Sequence, residues 1–139
     1  MPSDVFLDAG YAIALAAPSD QLHARALAVA DQLEATSRRI VTTQAVLLEI
    51  GNSLCRQRYR SAAVQLLSSL ESDPIVEVVL LSKGLWDEAF RLYRARPDKQ
   101  WSLCDCISFV VMESRGLSEA LSADEHFQQA GFRALLREE

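Results

Sequence analysis

The chain has 139 residues, half of them apolar, and its 19 acidic and 14 basic side chains give a formal net charge of −5. Length and apolar content suit a single domain over residues 1–139 with one core, and the negative balance argues against holding nucleic acid by bulk electrostatics alone. There is no basic stretch followed by an apolar leader and no long uninterrupted apolar run, so the expectation is a soluble, cytoplasmic protein with no membrane partner.

Strand-like and helix-like stretches alternate along the chain. Residues 4–8 read as a short buried strand, and 11–17 as a helix that Pro18 stops. Asp20 can cap a second helix in which Leu22, Ala26, Val29, Ala30 and Leu33 share a face. Residues 39–42 look like a second strand, after which Thr43 can cap a long helix running towards Arg58. A helix over 61–70 leads through Ser72, Asp73 and Pro74 into the β-branched run 75–81, which reads as a central strand. Ser82 starts the next helix, where Trp86, Phe90 and Tyr93 recur at helical spacing; such a stripe is expected in the core. Ser102 caps a helix bearing Ile107, Val110 and Val111, which Gly116 ends. Short strands over 120–123 and 133–136 flank a helical turn at 126–130.

The resulting order, β-α-α-β-α-α-β-α-α-β-α-β, implies a parallel sheet covered by helices, because strands joined by helical crossovers run parallel. Asp8 and Asp124 then fall just beyond the carboxyl ends of strands, and Asp105 in the first turn of a helix, near the edge where open α/β sheets bind ligands. Glu49 lies inside a helix with Ala45, Asn52 and Ser53 one turn away, small side chains that leave room for a ligand. Each acid also has an ordinary explanation: Ser102 and Asp105 fit a capping box, Asp124 can cap its helix, Asp8 can favour the following helix N-terminus, and Glu49 can sit at a solvent boundary. Capping does not, however, require three acids on one sheet edge. Two carboxylates about 4 Å apart repel by roughly 4 kcal/mol at an effective dielectric of about 20, so a cluster of four calls for a cation. Oxygen donors of this kind suit Mg²⁺ or Mn²⁺ better than zinc.

Cys55, Cys104 and Cys106 are an odd number without a disulfide pattern, and Cys104 and Cys106, which flank Asp105 without the spacing of a metal site, are expected to be small buried hydrophobes. His23 and His126 are expected in structural or surface roles. Arg56, Arg58 and Arg60 surround Tyr59, and Arg94, Arg96 and Lys99 form a second basic group, both able to contact phosphates. Arg91 is expected to pair with Asp87 one turn earlier.

The segments VFLD (5–8), VTTQAVLLEIGNSL (41–54), WSLCDCISFVVM (101–112) and LSADEHFQQAGF (121–132) resemble, as an ordered set, the motifs of PIN-domain ribonucleases, and closely those of VapC-type toxins of type II toxin–antitoxin pairs. The resemblance implies a PIN-like three-layer sandwich, with a parallel sheet of about five strands in the order 3-2-1-4-5 and helices on both faces. It implies a nuclease, a hydrolase of RNA phosphodiester bonds, with Asp8, Glu49, Asp105 and Asp124 as the catalytic, metal-binding acids and Mg²⁺ or Mn²⁺ as the cofactor. RNA as substrate, a cognate antitoxin and a homodimer follow from the same resemblance. One departure is Ala9-Gly10, where family members often carry a hydroxyl or amide that supports the site. Two alternatives remain at this point: a phosphoaspartate-type phosphatase or receiver domain, which would also place Asp8 at a strand end, and a catalytically silent PIN-like binding module.

Overall fold

The computed structural model describes residues 3–138. Its elements run β1 (Val5–Leu7), α1 (Ala9–Ala16), α2 (His23–Thr36), β2 (Ile40–Thr43), α3 (Gln44–Ser53), α4 (Gln57–Ser72), β3 (Val76–Val79), α5 (Lys83–Ala95), α6 (Leu103–Arg115), β4 (Glu119–Leu121), α7 (Glu125–Gln129), β5 (Arg133–Ala134) and a closing 3₁₀ turn, Leu135–Arg137. The alternation of elements is the expected one, and the five strands lie parallel in the order β3-β2-β1-β4-β5.

That order places the site. The chain leaves β1 for β2 and β3, then crosses back to β4 and β5, so its direction reverses between β1 and β4. Right-handed crossovers put α1 to α4 on one face and α5 to α7 on the other, and they open a crevice at the reversal, beyond the carboxyl ends of β1 and β4. The register pairs Phe6 with Val41 and with Ala120, so the strands finish together at that edge.

The core is built on the short central strands. Val5, Phe6, Leu7, Ala120 and Leu121 are buried on both faces of the sheet, as parallel strands between two helical layers must be. Phe109 of α6 makes edge contacts with Trp101 and Phe127, each with ring centroids 5.1 Å apart, and Phe127 of α7 in turn packs on Phe6 of β1 at 6.2 Å. Among the described residues, no helix is long and apolar enough to cross a membrane.

Several expectations are corrected. The helix begun by Thr43 stops at Ser53, and α4 starts anew at Gln57, because Gly51, Asn52 and Ser53 are weak helix formers. Arg58, Tyr59 and Arg60 therefore lie in the opening turns of α4, with Arg60 Nη2 donating to the Cys55 carbonyl at 2.6 Å. The β-branched run forms β3 at the sheet edge, not a central strand, and it is only half-buried. Asp20 holds a turn before α2 by accepting from the Leu22 N–H at 2.8 Å, so it does not cap that helix. Asp87 pairs with Lys83 at 2.6 Å rather than with Arg91. The aromatic stripe of α5 is not in the core: Trp86, Phe90 and Tyr93 remain 39%, 39% and 45% exposed.

Candidate active site

Asp8 directly follows β1 and is the N-cap residue of α1, yet its side chain makes no capping bond. Its Oδ2 instead accepts from the hydroxyl of Ser122, 2.8 Å away at the end of β4. Ser122 is buried, and its Oγ also accepts from the Asp124 N–H at 3.0 Å. Ser122 thus supplies the hydroxyl that Ala9-Gly10 lacks, from the neighbouring strand.

Asp124 caps α7 as expected, its Oδ1 accepting from the His126 N–H at 2.9 Å. The His126 ring turns back over the crevice. Its Nδ1 lies 2.9 Å from Asp105 Oδ2 and 3.4 Å from Asp124 Oδ1. Asp105 itself forms the expected capping box: its N–H donates to Ser102 Oγ at 2.9 Å, and its Oδ2 accepts from the Ser102 N–H at 3.0 Å. One oxygen of Asp105 thereby serves both the cap and the imidazole.

Glu49, three residues past Val46 on α3, reaches the same place. Its carboxylate accepts from the Cys104 thiol, and burial together with the charges of Asp105 and Asp124 pushes its pKa up. Asp8 is raised to about 7, chiefly by desolvation, with the charges of Glu49 and Asp105 adding to it and the Ser122 hydrogen bond opposing it. Asp8 thus feels the charges of Glu49 and Asp105, and Glu49 those of Asp105 and Asp124, which links the four acids in one cluster.

The cysteines divide. Cys106 is buried as expected, Cys104 is only half-buried, and Cys55 is exposed. Burial and the Glu49 charge push the Cys104 thiol well above its ordinary pKa, which keeps it a protonated donor to Glu49. Ser122 and Cys104 are the contributors to the cluster that sequence reasoning missed, and His126, expected in a structural or surface role, touches two of the acids.

The donor set fits a hard divalent cation. Ligand atoms of Asp105, Asp124 and His126 lie within 4.8 Å of one another, and the burial and neighbouring negative charges that raise Asp8 and Glu49 are of the kind a cation offsets. Carboxylate oxygens predominate, the donors that suit Mg²⁺ and Mn²⁺, and the His126 ring is engaged with Asp105.

The PIN domain matches residues 5–133, nearly the whole chain. The chain belongs to the PIN domain family. Among curated proteins, the 23S rRNA-specific endonuclease VapC20 from two strains of Mycobacterium tuberculosis is 25% identical over 128 residues, which is 92% of this chain and 95% of the relative. Among solved structures, the crystal structure of Mycobacterium tuberculosis VapC20, described as a sarcin–ricin loop cleaving toxin, superposes with a TM-score of 0.81 and 26% identity, covering 93% of this chain and 96% of the other. Membership of the PIN domain family, with the five parallel strands in the expected order, removes the phosphoaspartate alternatives.

Proposed function

We propose that this PIN domain is a divalent-metal-dependent endoribonuclease that hydrolyses RNA phosphodiester bonds and serves as the toxin of a toxin–antitoxin pair, with residues 1–139 acting as one nuclease domain. The observation that carries the reading is the convergence of Asp8, Glu49, Asp105 and Asp124 on the crevice where the sheet reverses direction, with Asp8 raised to about 7.

In this reading Asp8, Glu49 and Asp105 hold the cation directly, and Asp124 completes the site. Bound Mg²⁺ or Mn²⁺ would polarise the scissile phosphate and lower the pKa of an attacking water. The chain's own groups supply orientation: Ser122 fixes Asp8, the Cys104 thiol fixes Glu49, and His126, held by Asp124, fixes Asp105. VapC20 is named for 23S rRNA, and the sarcin–ricin loop is therefore the first substrate to try.

A groove of about 970 Å³ beside the acids supports the antitoxin part of the reading. Leu48, Leu67, Leu81 and Trp86 line it, with Glu49 and Cys104 at the acidic end. An apolar segment of a small partner would fill it, and a basic side chain, Arg by preference, would reach the carboxylates. A homodimer in the cytoplasm completes the proposal; exposed Leu48 and Leu80, 64% and 67% accessible, are suited to cover by protein.

The test is cleavage of single-stranded RNA by purified protein in Mg²⁺, Mn²⁺ or EDTA. Cleavage is expected only with the cations, and Asp8→Asn, Glu49→Gln or Asp105→Asn should remove it while circular dichroism stays unchanged. Undiminished cleavage by these variants, in preparations free of contaminating nuclease, would defeat the site assignment. A folded wild-type protein that cuts no RNA with either cation would be a silent binding module.

A further inference from the structure

The exposed aromatic stripe of α5 has no role in the core and is not among the acids. It continues into a groove of about 590 Å³ between the carboxyl-terminal half of α5 and the loop that leads to α6, lined by Phe90, Tyr93, Arg94, Lys99, Gln100 and Ser102 among others. We propose that this groove is the track for the single-stranded flank of the RNA, in which Phe90 and Tyr93 stack on unpaired bases while Arg94 and Lys99 contact phosphates; the substrate class rests on the nuclease reading above.

Charge argues for a polyanion. The chain carries a net charge of −5, yet no carboxylate side chain lines this groove. Arg96 is engaged elsewhere: it binds Asp98 through two hydrogen bonds of 3.0 and 2.9 Å, and its guanidinium stands 5.2 Å from the centre of the Trp101 ring. Arg94 and Lys99, in contrast, form no salt bridge within 4.0 Å among the described residues. The Arg94 guanidinium already lies 5.0 Å from the centre of the Phe90 ring, a cation–aromatic platform of the kind that single-stranded nucleic acids use.

Position argues for RNA leading to the acids. Ser102 lines the groove, and its N–H donates to Asp105 Oδ2 at 3.0 Å, one hydrogen bond from the carboxylate cluster. Half-exposed ring faces can receive bases only where those bases are unstacked, so the track selects loops and single strands over duplex. The Arg58–Tyr59 pair on α4, with the guanidinium 4.7 Å from the ring centre, is the rival basic–aromatic group, but it lines neither this groove nor the one beside Glu49.

The test measures binding apart from cleavage. A fluorescein-labelled 12-nucleotide single-stranded RNA of mixed sequence, and the same strand in a duplex, are titrated with protein in EDTA over a range of salt, and cleavage is followed separately in Mn²⁺. The single strand should bind more tightly than the duplex. Arg94→Gln with Lys99→Gln should weaken single-strand binding about tenfold or more, flatten the logarithmic salt dependence by about 1.4, and raise KM more than they lower kcat. Tyr93→Ala should weaken binding about 5- to 100-fold, with Tyr93→Phe restoring it, since stacking needs the ring and not the hydroxyl. Circular dichroism and mass by light scattering accompany every variant. Single-strand binding within twofold of wild type and an unaltered salt slope in folded variants would overturn the proposal, as would preference for the duplex or no RNA binding by the wild type. So would Tyr93→Ala converting a dimer to a monomer that binds RNA as before, which would assign the face to a second copy of the chain. Wild-type protein that binds RNA through these residues but cuts nothing in Mn²⁺ would sink the nuclease reading and leave the track standing.

Discussion

The hydroxyl of Ser122 donates to Asp8 Oδ2 at 2.8 Å and accepts from the Asp124 N–H at 3.0 Å, so one buried oxygen at the end of β4 fixes the acid that follows β1 and the start of the loop that carries another. Removing it takes the Ser122 hydrogen bond from Asp8 and leaves the half-buried Asp124 N–H without its hydroxyl partner. Ser122→Ala should cost about 1–3 kcal/mol in urea unfolding and weaken Mn²⁺ binding about 10- to 100-fold by calorimetry. Ser122→Thr, which keeps the hydroxyl, should recover most of both. Equal Mn²⁺ affinity in the Ala variant and the wild type would show that the hydroxyl does not orient Asp8.

The raised Asp8 carboxyl also makes the metal-free protein pH-sensitive. With a folded pKa of about 7 against an ordinary 3.8, Asp8 stays protonated in the folded chain over a range in which the unfolded chain has lost the proton. Stability from this group is therefore greatest below the ordinary value, falls as pH rises through the interval, and is fully lost above about 7, by on the order of 4 kcal/mol. In EDTA the melting temperature should be higher at pH 5.5 than at pH 8, and Asp8→Asn should flatten that difference and raise the value at pH 8. Saturating Mg²⁺ or Mn²⁺ at pH 8 should stabilise the wild type more than Asp8→Asn. A wild-type melting temperature that neither depends on pH across this range nor responds to either cation would remove both the strained carboxyl and its cation.

Much of the fold could be read from local signals, because the short strands are apolar runs bounded by turn residues and the helices carry strong caps at Thr43, Ser82 and Ser102. Asp105 was legible twice over, as a cap and as an acid, and the structure has it doing both jobs with one side chain. What stayed hidden depends on tertiary position. Nothing local distinguishes a β-branched edge strand from a central one, and β3 lies at the edge because the chain crosses back over the sheet after it. The Trp86, Phe90 and Tyr93 stripe has the period of a core face, but burial depends on whether another element covers it. Ser122 is separated from Asp8 by 114 residues, and a serine beside an apolar strand carries no signal of its own.

His126 offers a sharper test of orientation. With its hydrogen on Nδ1, the ring donates to Asp105 Oδ2 at 2.9 Å, and its backbone N–H is held in turn by Asp124. Asparagine places an amide N–H near the position of Nδ1, whereas glutamine carries it one bond further. His126→Asn should therefore retain Mn²⁺ affinity within a few-fold, while His126→Ala and His126→Gln should lose about 10- to 100-fold. Loss of affinity in the Asn variant equal to that in the Ala variant would favour the imidazole as a ligand itself.

The two cysteines of α6 should separate by function. Cys104 donates its thiol proton to Glu49, while Cys106 is packed in the core and raised to about 11, mainly by burial. Cys106→Ala should cost about 1 kcal/mol of stability, as loss of a buried group does, with Mn²⁺ affinity and cleavage close to wild type. Cys104→Ala should leave stability nearly intact but free the Glu49 side chain, weakening Mn²⁺ binding several-fold, and Cys104→Ser should restore it because a hydroxyl donates as the thiol does. Joint replacement by Ala should then add the two effects. Abolition of metal binding by Cys104→Ser in a folded protein would instead make the sulfur a ligand and overturn a site built from carboxylates.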